Sequence, residues 1–254
     1  MKREAPIILK TPEEVEKLRK GNLIVADILR VLKKEVAPGI TTMDLESIAE
    51  QELGKRKVKA AFKGYMGYPF CLCASVNEEI VHGMPSAKKV LREGDIVGLD
   101  FGVLFEGFYG DAAITVGVGG ISAEAGKLIE VTERCLEKAI DKARIGLRLY
   151  DISHAVQSCA EGEGFSVVRA FVGHGIGRHL HEPPQVPNFG SPGKGELLRE
   201  GMVLAIEPMI NQGGHQVRIL DDGWTAVTAD GKLSAHFEHS VAITKDGPRV
   251  LSRL

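Results

Sequence analysis

"LREGDIVGLD" occupies residues 91–100 and "LREGMVLAIE" occupies residues 198–207. Both open on the same four letters, and both end in a carboxylate six positions after the glycine, Asp100 in one and Glu207 in the other. The phrases stand 107 positions apart, as do Gly39 and Gly146 in "GITTMDLESIA" and "GLRLYDISHAV". Asp44 and Asp151 keep that offset, each followed by an aliphatic residue, Leu45 and Ile152. One shared tetrapeptide arises easily by chance. Several matches at one spacing point to two halves with a common architecture, about 10–120 and 121–254, within a single domain.

Local signals agree with two equivalent halves. Thr11-Pro12-Glu13-Glu14 predicts a capping box with proline at the first helical position. Val15, Leu18, Val25, Leu29, Leu32 and Val36 then form an apolar helical stripe, closed by Pro38-Gly39. A second helix is expected from Thr41 or Thr42 to about Gly54. In the second half Ser122 is positioned to cap a helix running to about Arg144, and a further helix is expected from about Tyr150 to Glu161. "DIVGLDFGVLFEGFYGDAAITVGV" reads as two antiparallel strands joined at Glu106-Gly107, with "MVLAIEPMI" and "HFEHSVAIT" as later strands. The fold class is therefore α/β, with one continuous sheet across both halves.

Composition narrows the function classes. The 254 residues are 44% hydrophobic and 26% charged, enough for one large core or two smaller ones. A formal net charge of −2 argues against nucleic acid as the main partner. The run Lys55-Arg56-Lys57, with Lys59 and Lys63, is a local basic patch that reads as a solvated helix end or, more sharply, as a contact for ribosomal RNA. Cys71, Cys73, Cys135 and Cys159 contain no C-x-x-C pair, and free thiols fit a cytoplasmic protein. The start "MKREAPIILK" lacks a signal-peptide core, and no apolar run is long enough to span a membrane.

Chemistry concentrates in four acids and a few histidines. Asp100, Asp111, Glu207 and Glu238 all lie in strand-like apolar sequence with no Lys or Arg in the immediate strand runs. A buried carboxylate is costly unless paired, hydrogen-bonded or metal-bound. Four negative charges match two divalent cations, and carboxylates can bridge such a pair. "VGHGIGRHLHEPP" adds His174 and His181, with Gly173, Gly175 and Gly177 expected to let the backbone approach a ligand closely or turn sharply. His82 in "NEEIVHGMPS" is a third candidate. His236 shares a strand face with Glu238 and His239 points the other way, while His154, His179 and His215 carry less weight.

These residues make the chain recognisable. "NEEIVHGMP", "GDIVGLDFGVLFEGFYGDAAIT", "GHGIGRHLHEPPQVPN", "GMVLAIEPMI" and "SAHFEHSVAIT" resemble, in order and spacing, the short bacterial type I methionine aminopeptidases of metallopeptidase family M24. The resemblance runs from about residue 8 to the C-terminus. It implies the pseudo-twofold pita-bread fold, a central antiparallel sheet flanked by helices. It implies two divalent ions, with Asp100 on one, His174 and Glu207 on the other, and Asp111 and Glu238 bridging. Co, Mn, Fe(II) and Zn all suit that ligand set. By the same resemblance His82 and His181 contact substrate and stabilise the transition state, Glu207 also shuttles a proton, and a bridging water or hydroxide attacks the scissile carbonyl. The methionine pocket would include Tyr65, Tyr68, Cys73 and Trp224. The activity implied is removal of N-terminal methionine from nascent chains when the next residue is small, by a cytoplasmic monomer without DNA or membrane partners. Some relatives have Phe where this chain has Leu180 and His where it has Met66.

X-Pro aminopeptidases and dipeptidases share the fold but carry an additional N-terminal domain, which is not expected with about ten residues before the first helix. Type II methionine aminopeptidases carry an insertion after the second histidine, and the 26 positions from His181 to Glu207 leave no space for it. A non-enzymatic relative would be expected to have lost metal ligands, and all five positions here hold suitable groups.

Overall fold

The computed structural model describes residues 6–253. Four helices form where capping and periodicity predict them. Helix α1 (Pro12–Glu35) starts with the full capping box, the Thr11 hydroxyl accepting from the Glu14 amide and the Glu14 carboxylate from the Thr11 amide. Helix α2 (Thr42–Arg56) repeats that device with Thr41 and Asp44. It runs past Gly54, because Lys57 takes the left-handed capping conformation (φ 54°) instead. Helix α3 (Ala123–Ile140) begins at Ser122 as expected but ends four residues before Arg144. There the ladder tightens into i→i−3 bonds, Lys142 to Ala139 and Ala143 to Ile140, at 3.0 and 2.9 Å. Helix α4 spans Leu149–Glu161, and the Asp151 carboxylate accepts from the Arg148 amide, as Asp44 does from Thr41.

The main sheet has nine strands. Its hydrogen-bonded order is Lys59–Ala60, Ile96–Phe105, Phe108–Gly117, Glu238–Thr244, Val203–Ile206, Gly173–Gly175 and Glu182–Val186. Leu72–Val76 pairs with Ile96–Phe105, and Gly247–Val250 pairs with Glu238–Thr244. Every pairing is antiparallel. Glu106 and Gly107 both have positive φ (48° and 80°), the backbone of a two-residue hairpin turn, at the predicted connection.

Hydrogen bonds repeat at the sequence offset of 107. The Leu91 amide donates to Ile40 O and the Leu198 amide to Leu147 O. The Thr42 amide donates to Lys89 O and the Leu149 amide to Glu196 O. Gly39, Gly94, Gly146 and Gly201 all adopt left-handed φ, between 85° and 95°. The LREG phrase is thus a turn that ties to the segment before a helix and then launches a strand.

One face of the sheet packs on helices. Val97, Leu99, Phe101 and Val103 meet Val25, Ile28, Leu29 and Leu32 of α1 and Leu45, Ala49 and Leu53 of α2. In the second half, Leu204, Ile206, Val241 and Ile243 meet α3 and α4 residues such as Leu128, Val131, Ile152 and Val156. The other face carries the chemistry.

Two strand expectations need correction. "MVLAIEPMI" is not one strand: Val203–Ile206 belongs to the nine-stranded sheet, and Met209–Asn211 pairs with Ser234–His236 and Ser166–Val167 in another. Pro208 has no amide to continue the ladder, so Glu207 stands at a corner between sheets. "HFEHSVAIT" likewise breaks at Phe237.

Candidate metal centre

Register brings the acids together. Cys73 pairs with Asp100, Asp100 with Ala113, and Ala113 with Glu238. Side chains in such a row share a face, and so do residues two apart on one strand. Asp111 therefore joins Asp100 and Glu238. Two residues along from Glu238, Ser240 pairs with Ala205, and Ala205 with His174, so His174 and Glu207 lie on that face too.

Asp111 is held at its backbone. Its amide donates to the buried Asn22 side chain on α1 (3.2 Å), and its carbonyl accepts from the Ser240 hydroxyl (2.9 Å). This approach needs Gly110, because a Cβ there would lie 2.9 Å from the Asn22 backbone nitrogen.

The charge balance of the site is one-sided. Asp111 and Glu238 are buried, while Asp100 and Glu207 face a cavity of about 200 Å³ that no lysine or arginine lines. The cavity walls keep them from bulk solvent, so burial acts on their charge more than their surface accessibility implies. Burial pushes the Asp100 carboxyl up to about 7 and the Glu207 carboxyl up to about 8, and holds Asp111 and Glu238 well above the usual range. Mutual repulsion among the four adds to the effect on Asp111 and Glu238. Asp100 Oδ1, Asp111 Oδ1, Glu238 Oε1 and His236 Nε2 have no hydrogen-bond partner among the described residues.

These donors fit divalent cations. One ligand atom from each of Asp111, His174 and Glu238 lies within 4.8 Å of the others. His174 Nδ1 is 2.9 Å from Gly175 O. A carbonyl only accepts, so Nδ1 carries the proton and Nε2 presents its lone pair, the form a metal ligand requires. That Nε2 is 3.6 Å from Glu207 Oε1, and His236 Nε2 is 3.6 Å from Glu207 Oε2. Burial lowers the His174 ring to about 3, so it is neutral at neutral pH. Asp100 and Glu207 line the same cavity without joining the tight trio.

The remaining predicted residues surround this cluster. Tyr65, Tyr68, Cys73 and Trp224 all line the cavity, with His82 and His181 at its walls. The Tyr68 ring meets Trp224 edge-on at 5.1 Å, and its hydroxyl donates to Leu72 O at 3.1 Å. His181 Nδ1 is 2.7 Å from the Tyr65 hydroxyl, and its ring lies 4.3 Å from that of His174. His82 holds φ 60° and stands edge-on to Phe171. A left-handed backbone is uncommon outside glycine, and such strain concentrates at functional sites. Leu180 is buried in the wall, and Met66, 82% exposed, stands at the rim. Phe62, Phe171 and Val172 also line the cavity and were not foreseen, since nothing in their local sequence separates them from ordinary core.

The glycines of the histidine loop serve a different purpose from the one expected. A Cβ at Gly173 would lie 2.4 Å from Ala205 O, one at Gly175 2.3 Å from Pro183 O, and one at Gly177 2.5 Å from Lys10 Cε. They let neighbouring protein segments close on one another. His239 turns away, as expected, and bonds Ser252 at 2.8 Å.

The chain as a whole is similar to known proteins. The model of metallopeptidase family M24 matches residues 16–245. The chain belongs to this family. It is 54% identical to a methionine aminopeptidase of Clostridium perfringens, over 97% of this chain and 98% of that one. It is 50% identical to methionine aminopeptidase 1 of Bacillus subtilis, over 98% and 100%. The crystal structure of methionine aminopeptidase from Thermotoga maritima superposes with a TM-score of 0.96 at 49% identity, covering 98% of this chain and all of that one. The M24 chain described here thus has the pita-bread architecture, and as a metallopeptidase uses divalent metal.

Proposed function

We infer that this chain is a methionine aminopeptidase, removing the N-terminal methionine of a polypeptide whose second residue is small. The observation that carries the reading is the four-carboxylate cluster with orphaned oxygens, opening onto a cavity lined by Tyr65, Tyr68, Cys73 and Trp224. Aromatic rings and a thiol are good neighbours for a thioether. About 200 Å³ accommodates one side chain, not a long peptide.

Asp100, Asp111, His174, Glu207 and Glu238 would hold two divalent ions. When bound, the ions supply Lewis acidity and a water of lowered pKa. The protein's own groups do the rest. With the Tyr65 hydroxyl donating to Nδ1, His181 carries its proton on Nε2 and offers it to the carbonyl oxygen of the scissile bond as negative charge develops. Burial lowers the His82 ring to about 4, so it is neutral and able to hydrogen-bond the scissile amide. Glu207, facing His236, would take the proton lost by the attacking water and return it to the departing amine nitrogen.

The substrate is then the N-terminus of a nascent polypeptide, and the protein works as a monomeric single domain of two halves in the cytoplasm. The offset-matched hydrogen bonds and the sheet crossing both halves support that organisation. No helix among the described residues is long and apolar enough to cross a membrane. The basic run is partly neutralised within the protein: Arg56 pairs with Asp27 and Glu52, Lys55 with Glu52, and Lys63 with Glu50. Any ribosomal contact falls chiefly to exposed Lys57 and Lys59.

The test is a peptide assay of metal-free protein titrated separately with Mn, Fe(II), Co and Zn, using Met-Ala-Ser, Met-Lys-Ser and an X-Pro peptide. Metal-dependent cleavage of Met-Ala-Ser alone is expected. Preference for the X-Pro peptide, or equal cleavage of Met-Lys-Ser, would overturn the specificity.

A further inference from the structure

Among the described residues one lysine–carboxylate pair is almost wholly buried. Lys10 Nζ lies 2.5 Å from Glu182 Oε2, with side-chain exposures of 3% and 1%. It stands outside the acid cluster, yet Glu182 directly follows His181. Ion pairs removed from water gain little net stability over apolar packing, so their retention calls for another account.

The pair is fastened at every end. Lys10 Nζ also donates to Ile8 O (2.9 Å), and the Lys10 amide donates to Gly201 O (2.7 Å), at the turn that launches the strand leading to Glu207. Glu182 uses its second oxygen to accept the His179 amide (3.0 Å), closing a turn around Leu180 and His181. The Gly177 amide bonds His179 O from the other side. Gly177 and Gly201 are needed for this approach, since a Cβ at either would fall within 2.7 Å of Lys10 atoms. His181 itself stands at the exposed rim, and among the described residues its one side-chain hydrogen bond is to Tyr65. Beyond Tyr65 and the neighbouring His174 ring, its placement rests on the turn beneath it.

We propose that Lys10 is a positioning residue for catalysis, which locks Glu182 and thereby the 179–182 turn so that His181 meets the scissile carbonyl. The proposal rests on the methionine aminopeptidase reading. It assigns a catalytic purpose to the segment before α1, which clamps two active-site elements of the second half, the His181 turn and the start of the Glu207 strand.

The experiment uses Lys10→Met, which keeps the stem and removes the charge, and the double variant Lys10→Met/Glu182→Gln, which removes both charges. Each is also made in a His181→Ala background, and all are assayed on Met-Ala-Ser with metal added, well below the melting temperature of each. Lys10→Met is expected to lower kcat by about 10- to 100-fold, the cost of misplacing a reacting group by about an ångström, with KM little changed. The double variant is expected to regain thermal stability, because no buried charge is left unpaired, while kcat stays low. In the His181→Ala background the Lys10 substitution should change kcat by less than about twofold, the usual limit of additivity.

A purely structural role predicts that rate and stability recover together in the double variant, and that outcome overturns the proposal. So does a Lys10→Met loss that persists in full without His181. If Lys10→Met fails to fold, the double variant carries both comparisons. Failure of the wild type to cleave Met-Ala-Ser would sink the activity reading instead.

Discussion

Removing metal from the centre should make stability fall as pH rises. In the metal-free protein burial pushes Asp100 up to about 7 and Glu207 up to about 8, and holds Asp111 and Glu238 well above the usual carboxylate range. Unfolded carboxyls titrate near 4. A folded pKa above the unfolded one means stability that is complete below about pH 4 and lost as pH climbs through the folded value. Each extra proton held by the fold changes stability by ~1.4 kcal/mol per pH unit. Near pH 7 Asp100 is half protonated and Glu207 mostly so, which together gives about 2 kcal/mol per pH unit. The buried histidines act oppositely, because His82 and His174 are lowered to about 4 and 3. Their contribution has levelled off above about pH 7, where unfolded histidine is also neutral. The window is therefore pH 7 to 8. Urea unfolding followed by circular dichroism, with chelator or with excess Mn, measures it. The chelated protein should weaken across the window and the loaded protein should not, since ligand carboxylates are ionised when metal is bound. Glu207→Gln should flatten the metal-free slope and raise stability at pH 8. A metal-free protein whose stability is level or rises from pH 7 to 8 refutes the uncompensated-charge account.

Other expectations follow from single contacts. Glu238→Ala should abolish turnover on Met-Ala-Ser and weaken metal binding by calorimetry, since it removes the carboxylate at the centre of the cluster; full activity would end the two-ion reading. Thr11→Ala removes the hydroxyl that accepts the Glu14 amide and should cost about 1 kcal/mol in denaturant unfolding. Gly110→Ala would press a methyl on the α1 backbone at Asn22 and shift Asp111, so metal affinity should fall together with stability. Loss of stability with metal affinity intact would show that α1 does not position Asp111 for metal.

Much of the fold was legible because its signals are local. The capping box at Thr11 depends on residues three apart, and the hairpin at Glu106-Gly107 on two residues that accept positive φ. The 107-residue offset pointed to two equivalent halves, and the same offset reappears in the backbone hydrogen bonds. Element ends were less legible. Lys57 as a left-handed cap and the tightened end of α3 reflect small local energies that competing turns can match. The structure places Leu180 in the wall of the cavity and Met66 at its rim.

By itself the sequence determined which groups must find partners: four acids in apolar strands, an imidazole in a glycine loop, and a doubled phrase delivering Asp100 and Glu207. That follows from period-two alternation and from the cost of burying charge, both readable along the chain. Only the tertiary structure decided that Asp111, His174 and Glu238 converge within 4.8 Å, because strand register links residues more than sixty positions apart. Only it turned the chain at Pro208 so that Glu207 faces both His174 and His236. It also reassigned the loop glycines, which bring Ala205, Pro183 and Lys10 close and leave His181 on a turn that a buried lysine holds. Proximity across the fold is the quantity that spacing along a chain does not encode.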